Sequence, residues 1–162
     1  MSINRHVMDL QTNSISYATH SVCGIHNSSS SVLQKNVKLY GPMNALDVTN
    51  GSSSWNSEGN SQNETTLTIH FGRAVIPTSV RLQFQAGFSA ETIVIHNPQG
   101  VLVGEMELED IHEIQTHSLS NNDESFTSIK FTLDNFSDFY GRVILYRLEV
   151  WGYEIASIDM ME

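Results

Sequence analysis

The chain has 162 residues, a hydrophobic fraction of 40% and a formal net charge of −10, from 18 acidic and 8 basic residues. That length suits one domain with a sizeable core. The acidic balance disfavours direct binding to nucleic acid and adsorption to an anionic membrane, because both need basic patches. Cys23 is the only cysteine, so no intrachain disulfide forms. Without an apolar leader or a run of roughly 20 apolar residues, we expect a soluble intracellular protein.

The N-terminal third of the chain shows little periodicity. Residues 1–20 are polar and predict a flexible tail, and the serine run at 28–31 predicts a loop before a first strand. A proline early in residues 42–46 suits a single helical turn. The Asn, Gly and Ser residues of 47–54 are typical of a loop.

Alternation of apolar and polar residues predicts β-strands further along, because successive strand side chains point to opposite faces. Alternating strands cover residues 66–71, 80–85 and 126–133, with Leu67, Ile69, Phe71, Val80, Leu82, Phe84, Ile129, Phe131 and Leu133 facing inward. Residues 93–96 and 101–103 are short apolar stretches on either side of a turn. Pro and Gly within residues 97–100 suit a tight turn, so we expect a hairpin there. Residues 105–119 fit either a helix or two strands around a loop at 110–112.

The most strand-like stretch is 138–152. Gly141 can supply a turn, and ten residues without Gly or Pro follow it. One face carries Ile144, Tyr146, Leu148 and Val150 and should meet the core. The other carries Val143, Leu145, Arg147, Glu149 and Trp151. Because this second face also begins apolar, we expect a central strand rather than an edge strand.

Seven or eight strands joined by short turns, without a long helix, predict an all-β sandwich or jelly roll. No sequence repeats at a fixed period, and no linker divides the chain. We therefore expect a flexible tail at 1–20, one domain at 21–154 and a C-terminal tail at 155–162.

Three blocks of sequence resemble the galactose-binding-like (discoidin, coagulation factor 5/8 type C) superfamily. They are Trp55-Asn56-Ser57-Glu58-Gly59, residues 82–89 and residues 138–152, with weaker support from residues 30–36 and from Glu109-Asp110 followed by Gln115. Within the superfamily the blocks are most similar to those of small nuclear receptor-associated repressors. The resemblance implies a galactose-binding-like jelly-roll β-sandwich and favours two strands in residues 105–119. It also implies a nuclear, non-catalytic protein that binds an orphan nuclear receptor and represses transcription.

The same blocks contain the candidate binding residues, which are aromatic and polar side chains near loops: Trp55, Asn56, Gln85, Phe88, Phe139, Tyr140 and Arg142. They can form a recognition patch, since Tyr, Trp and Arg are enriched among binding hot spots. The alternative is a structural role. In that case Trp55 and Phe88 plug one end of the sandwich, and Arg142 fixes a carboxylate such as Asp138.

Domains of this superfamily often hold Ca²⁺ between a loop Leu-Asp motif and an acidic residue on the last strand. Leu46-Asp47 matches the loop half, but Arg147 occupies the strand position. A guanidinium cannot ligate a cation, so we expect no metal. We hypothesise that Arg147 pairs with Asp47 instead, since the planar fork suits a carboxylate. Pairing of Arg147 with Glu149 or solvent is the alternative.

The sequence carries no recognisable cofactor or catalytic motif. Its seven histidines show no zinc spacing, and it lacks Gly-x-Ser-x-Gly, P-loop, Gly-x-Gly-x-x-Gly and His-Glu-x-x-His patterns. It also lacks a Leu-x-x-Leu-Leu segment, so binding to a receptor would use the folded surface. Two other roles stay open at this point: a carbohydrate-binding module, and a substrate-recognition subunit of a ubiquitin ligase.

Overall fold

The computed structural model of the protein describes residues 4–7, 28–46, 53–59, 64–119 and 124–156. Within these ranges the strands are β1 Asn4–Val7, β2 Ser28–Ser29, β3 Trp55–Asn56, β4 Thr65–Phe84, β5 Ala90–His96, β6 Leu102–Glu107, β7 Gln115–Ser118, β8 Phe126–Phe136 and β9 Ile144–Ala156. A short helix, α1 Val37–Tyr40, and two 3-10 turns, Leu33–Lys35 and Pro42–Ala45, lie between β2 and β3. No helix in the described ranges is long and apolar enough to cross a membrane.

The long strand β4 is shared between two groups of antiparallel strands. Its residues 65–70 pair with β8, and the sheet continues from β8 to β5 and then to β6. β2 pairs with the same part of β4 along its other edge. Its residues 79–82 pair with β9 on one side and β7 on the other. The register shifts between His70 and Val75, and Gly72 in that interval has a φ of 69°. Such an irregularity bends a strand, so β4 passes from one layer of the sandwich to the other.

One cluster of buried apolar side chains fills the space between the layers. The nine residues predicted to face inward on β4 and β8 are each at most 2% exposed: Leu67, Ile69, Phe71, Val80, Leu82, Phe84, Ile129, Phe131 and Leu133. The prediction of an all-β sandwich is therefore confirmed. The helical turn predicted at 42–46 is also present, as the 3-10 turn Pro42–Ala45.

The strand pairing shows the structure of residues 97–100, which were predicted to form a turn, and of residues 105–119, which fitted either a helix or two strands. Residues 97–100 form the turn of a β5–β6 hairpin, with the Asn97 N–H donating to the Val101 carbonyl at 3.0 Å. Residues 105–119 contain the end of β6 and all of β7, with a loop around 110–112 between them. The two-strand interpretation of this segment is confirmed.

β9 is a central strand, as predicted, because it lies between β4 and β1. Leu148 and Val150 face the core, with exposures of 2% and 0%. The predicted parity is wrong earlier in the strand. There Leu145 is buried, while Ile144 and Tyr146 are only half-buried.

A β-bulge explains this reversal of faces. Arg147 lies opposite Gln83 and Leu145 lies opposite Phe84, so Tyr146 is an extra residue without a partner on β4. An extra residue shifts the alternation by one position and moves the preceding side chains to the other face.

The chain termini differ from the prediction. Residues 4–7, expected within a flexible tail, form β1 and pair with residues 153–156 of β9. β9 itself continues two residues beyond the predicted domain end at 154. The edge of a strand offers unpaired N–H and C=O groups that any extended segment can satisfy, and a polar four-residue sequence does not reveal such a pairing. The remaining division into tails and domain stays a prediction.

Candidate functional site

Two turns lie side by side at one end of the sandwich. Residues 85–89 connect β4 to β5, and residues 137–143 connect β8 to β9. The main chain joins them, because the Ile144 N–H donates to the Phe88 carbonyl oxygen at 3.0 Å. This contact brings most of the predicted binding residues to one end of the molecule.

Asp138 organises the second turn. Its Oδ2 atom accepts hydrogen bonds from the backbone N–H of Tyr140 at 3.2 Å, from the backbone N–H of Arg142 at 3.0 Å and from Arg142 Nε at 3.2 Å. Gly141, between the two donors, has a φ of 75° that glycine adopts readily. Burial alone raises the pKa of the Asp138 carboxyl, but the bonds from Arg142 and Tyr140 outweigh it. The pKa therefore lies below its ordinary value.

Two aromatic rings lie beside the Arg142 side chain, and a third packs against one of them. Its guanidinium carbon lies 5.2 Å from the centroid of Phe88 and 5.8 Å from that of Tyr140, within cation–π range of both. The Phe139 and Tyr140 rings meet edge to face at 5.3 Å. Phe139 is 86% exposed and Tyr140 63% exposed. We call Phe88, Phe139, Tyr140 and Arg142 the aromatic tip.

The turn that carries Phe88 is fixed by a second carboxylate. Asp110 Oδ1 accepts hydrogen bonds from the Gly87 N–H at 2.9 Å and from Ser89 Oγ at 2.7 Å. The Ser89 bond, followed by the Gly87 bond, lowers the pKa of the Asp110 carboxyl below its ordinary value. The Ser89 N–H in turn donates to Ser137 Oγ at 2.9 Å, which links this turn to the start of the neighbouring one.

Trp55 and Asn56 do not join the exposed surface. Trp55 is completely buried, and its Nε1–H donates to the Ser31 carbonyl at 3.1 Å. This position fits the structural alternative and corrects its inclusion among surface binding residues, because residue type near a loop does not reveal depth. Asn56 is half-buried, and its Oδ1 accepts a hydrogen bond from Ser54 Oγ at 2.8 Å.

The segment after Trp55 nevertheless supports the aromatic tip from below. Ser57 is 1% exposed and exchanges two hydrogen bonds with the Val143 backbone, at 2.8 and 2.9 Å. Gly59 lies so close to the tip that a Cβ atom there would stand 2.8 Å from the Tyr140 carbonyl oxygen. The backbone of residues 57–59 therefore packs directly beneath the turn.

Gln85 lies beside the aromatic tip rather than within it. Its Oε1 accepts a hydrogen bond from the Tyr146 hydroxyl at 2.7 Å, and the Tyr146 ring meets His112 edge to face at 5.6 Å. Gln85 is half-buried. Its side chain therefore holds a neighbouring aromatic group in place.

The structure thus groups four of the seven predicted residues and separates three. Sequence reasoning missed Asp110, Ser89 and Gly59 as supports of the tip, although all three belong to the segments that carry the family resemblance. Asp110 and Ser89 are separated by 21 positions, and no local spacing predicts their contact. The predicted binding role of Asn56, Gln85 and the aromatic tip stays a prediction.

The described residues do not fit the calcium site known in this superfamily. Arg147, at the strand position, carries a guanidinium whose Nη1 lies 3.7 Å from Glu149 Oε2, as in the second arrangement considered from the sequence. Asp47 lies outside the described residues, so its pairing with Arg147 stays a prediction. No group of three or more His, Cys, Asp or Glu side chains within the described ranges is arranged to hold a metal ion.

Solved structures of other proteins share this fold. The family 32 carbohydrate-binding module of Clostridium perfringens NanJ, solved with galactose, is 20% identical with a TM-score of 0.62, and the match covers 87% of this chain and 98% of that one. The F5/8 type C domain of a Bacteroides fragilis protein is 14% identical with a TM-score of 0.63, covering 83% and 93%. The galactose-binding-like jelly roll implied by the resemblance is confirmed.

Relatives with similar sequences cover most of the chain. The nuclear receptor 2C2-associated protein of Xenopus laevis is 30% identical over 127 residues, which are 76% of this chain and 90% of the relative. The protein of the same name from Danio rerio is 32% identical over 134 residues, covering 76% and 87%. No protein-family model matches the chain. With this identity over nearly the full length of its relatives, the chain belongs to the family of nuclear receptor 2C2-associated proteins.

Proposed function

We propose that this chain is a non-catalytic protein-interaction domain that binds an orphan nuclear receptor in the nucleus and lowers its transactivation. The names of its relatives, which refer to association with nuclear receptor 2C2, supply the proposed partner. The observation that carries the proposal is the aromatic tip, where two adjacent aromatic rings are presented to solvent on a turn that hydrogen bonds hold in place.

Phe139 and Tyr140 have the properties of a binding anchor. They are the two most exposed aromatic side chains among the described residues, at 86% and 63%. Single exposed apolar residues are ordinary on protein surfaces, but adjacent aromatic rings beside an arginine match the composition of binding hot spots. Asp138 fixes the turn before binding, so less conformational entropy is lost when a partner docks.

The direct test is the affinity of the purified chain for nuclear receptor 2C2, measured by biolayer interferometry. The double variant Phe139→Ala with Tyr140→Ala should bind at least about 30-fold more weakly, as expected when hot-spot side chains are truncated. The matched control is Val101→Ala with Leu102→Ala in the β5–β6 hairpin, since both residues are 57% exposed and lie outside the turns of the aromatic tip. Equal losses in the two variants, or no binding by the unaltered chain, would refute the proposal.

A reporter gene driven by the receptor tests the second half of the proposal. Expression of the unaltered chain should lower the reporter output. The variant with Phe139→Ala and Tyr140→Ala should not lower it, whereas the control with Val101→Ala and Leu102→Ala should act like the unaltered chain. A fluorescent fusion should accumulate in the nucleus when the receptor is co-expressed. Repression that persists with the tip variant would place the functional surface elsewhere.

Carbohydrate binding is a second candidate, and it is favoured by a specific feature. A module with the same fold was solved with galactose, and an exposed tyrosine beside an arginine at a loop end can stack on a sugar ring and hydrogen-bond its hydroxyl groups. A glycan array with the full chain tests this candidate. Binding to a glycan that Tyr140→Ala abolishes, without binding to the receptor, would favour it over the receptor proposal.

A further inference from the structure

We propose that the outer face of the β4–β9 pair binds an acidic segment of a partner protein through Arg81 and Arg147. This second binding site lies on two strands rather than on the turns of the aromatic tip, and it goes beyond the proposed function. Four side chains define it: Arg81 on β4, and Arg147, Glu149 and Trp151 on β9. We call them the arginine face.

The strand register places these side chains on one surface. Arg81 lies opposite Glu149, and Arg147 and Trp151 follow at intervals of two along β9. The residues between them on β9, Leu148 and Val150, face the core. Because strand side chains alternate between faces, the four members of the arginine face lie together on the side of the strands away from that core. Arg81 and Arg147 reach the solvent there, while Glu149 and Trp151 are buried, at 4% and 5% exposure.

The charges of this face do not balance. Glu149 Oε2 lies 3.9 Å from Arg81 Nη1 and 3.7 Å from Arg147 Nη1, so two cations share one carboxylate. Both distances exceed the roughly 3.2 Å limit of a good N–H···O hydrogen bond. Among the residues that the structure describes, one positive charge is therefore in excess at this place, although the whole chain carries a net charge of −10.

Hydrogen-bond donors are also left over. A guanidinium has five N–H donors, and among the described residues neither Arg81 nor Arg147 uses its guanidinium in a hydrogen bond. Their side chains are 35% and 29% exposed, so a ligand can reach them. Trp151 is 5% exposed beneath the Arg81 guanidinium, and its Nε1 has no hydrogen-bond partner. Native proteins seldom bury such a donor without a partner.

A side-chain carboxylate fits these features better than a phosphate group. Its two oxygens match the planar fork of a guanidinium, and its single negative charge neutralises the single excess positive charge. A doubly charged phosphate would leave excess negative charge beside the buried Glu149. The occupant is therefore an Asp or Glu side chain on an acidic segment of another protein.

The first test is a titration of the ¹⁵N-labelled full chain, followed by NMR at constant ionic strength. The probe is the capped peptide acetyl-Gly-Glu-Gly-amide, which carries one negative charge, and acetyl-Gly-Gln-Gly-amide is the uncharged match. We expect only the Glu peptide to shift the Nε–H signals of Arg81 and Arg147 and the indole signal of Trp151. Trp55, the one other tryptophan, is completely buried in the core opposite Leu145 and supplies the internal control. Equal shifts with both peptides, or shifts of both indoles, would overturn the proposal.

Variants provide the second test. Arg147→Gln should weaken binding of the Glu peptide by about tenfold or more, which is the usual loss for one charge-assisted hydrogen bond. Lys130→Gln removes the same charge from the exposed surface of β8 and should leave binding unchanged. Arg81→Lys keeps the charge but removes the fork, so it should weaken binding even if Arg147→Gln fails to fold. If the Lys130 variant and the arginine variants lose affinity for the Glu peptide equally, the interaction is a general charge attraction and the proposed site is refuted.

Discussion

Asp138 and Arg142 are joined twice, once through the backbone and once through the side chain. The Oδ2 atom of Asp138 accepts hydrogen bonds from the Arg142 N–H at 3.0 Å and from Arg142 Nε at 3.2 Å. The first bond closes the turn, and the second holds the guanidinium between the rings of Phe88 and Tyr140. The shape of the turn and the position of the aromatic tip therefore depend on one carboxylate.

Replacing Asp138 with Asn should loosen this turn. The amide keeps one acceptor oxygen but loses the charge, so we expect the free energy of unfolding to fall by about 1 kcal/mol. Affinity for the proposed receptor should fall as well, because the exposed rings are no longer held in place. Urea unfolding and interferometry measure the two effects. Asp134→Asn is the control, since Asp134 is exposed and its carboxylate accepts a local bond from the neighbouring Asn135. Identical behaviour of the two variants would argue against a special role for Asp138.

Acid should destabilise the protein through Asp110 and Asp138. The pKa of each carboxyl lies below its ordinary value of 3.8 in the folded state. The unfolded chain therefore binds protons first as pH falls. The stabilisation is complete above the unfolded pKa and is lost as pH falls through the folded pKa.

Urea unfolding between pH 7 and pH 2.5 checks this prediction. The stabilisation that these two carboxylates contribute to the free energy of unfolding should be constant from pH 7 down to about pH 5. It should decrease below about pH 4, and the urea midpoint should decrease with it. The double variant Asp110→Asn with Asp138→Asn should be less stable at pH 7 and should depend less steeply on pH in the acid range. An unchanged slope in the double variant would show that other carboxylates govern the acid response.

Trp55→Phe should separate a core role from a binding role. The substitution removes the Nε1–H bond to the Ser31 carbonyl and leaves a void, at an expected loss of about 2–3 kcal/mol in the free energy of unfolding. Receptor affinity of the folded variant should not change, because Trp55 has no exposed surface. Phe139→Ala should show the reverse pattern, with little change in urea midpoint and weaker binding. A folded Trp55→Phe protein with lowered affinity would contradict the assignment of Trp55 to the core.

The core of the fold was predictable because burial between two layers imposes a period of two on each strand. The alternation alone therefore predicted that Leu67, Ile69 and Phe71 face the core. The β-bulge at Tyr146 did not, since a tyrosine there is an ordinary strand residue. Its effect is visible only when β9 is set against β4.

The residues of the aromatic tip were predictable only because they lie in the sequence blocks that resemble the superfamily. Phe88, Phe139 and Tyr140 were chosen as aromatic residues near loops, and the fold brings them together. Trp55 satisfied the same criterion but lies in the core, because a sequence shows residue type without depth. The contact of Asp110 with Ser89 depends on how the strands are arranged in space, and no sequence pattern encodes it.

Substitutions at two glycines test whether the turn at residues 85–89 positions the aromatic tip. Gly87 and Gly100 have φ angles of 88° and 80°, and a Cβ atom at either position would meet open space. Alanine at either place should therefore lower the free energy of unfolding by a similar amount, about 1 kcal/mol, because only the backbone conformation is penalised. The two variants should differ in function.

Gly87→Ala should also weaken receptor binding, because alanine disfavours the positive φ at this position and a changed backbone would move Phe88, the next residue, together with the N–H that donates to Asp110. Gly100→Ala, in the distant β5–β6 turn, should bind like the unaltered chain at equal stability. Interferometry below the unfolding transition, with urea midpoints measured in parallel, compares the pair. If Gly87→Ala retains full affinity while losing the expected stability, the geometry of this turn does not control the tip, and the binding contribution of Phe88 must be reassigned to Phe139 and Tyr140.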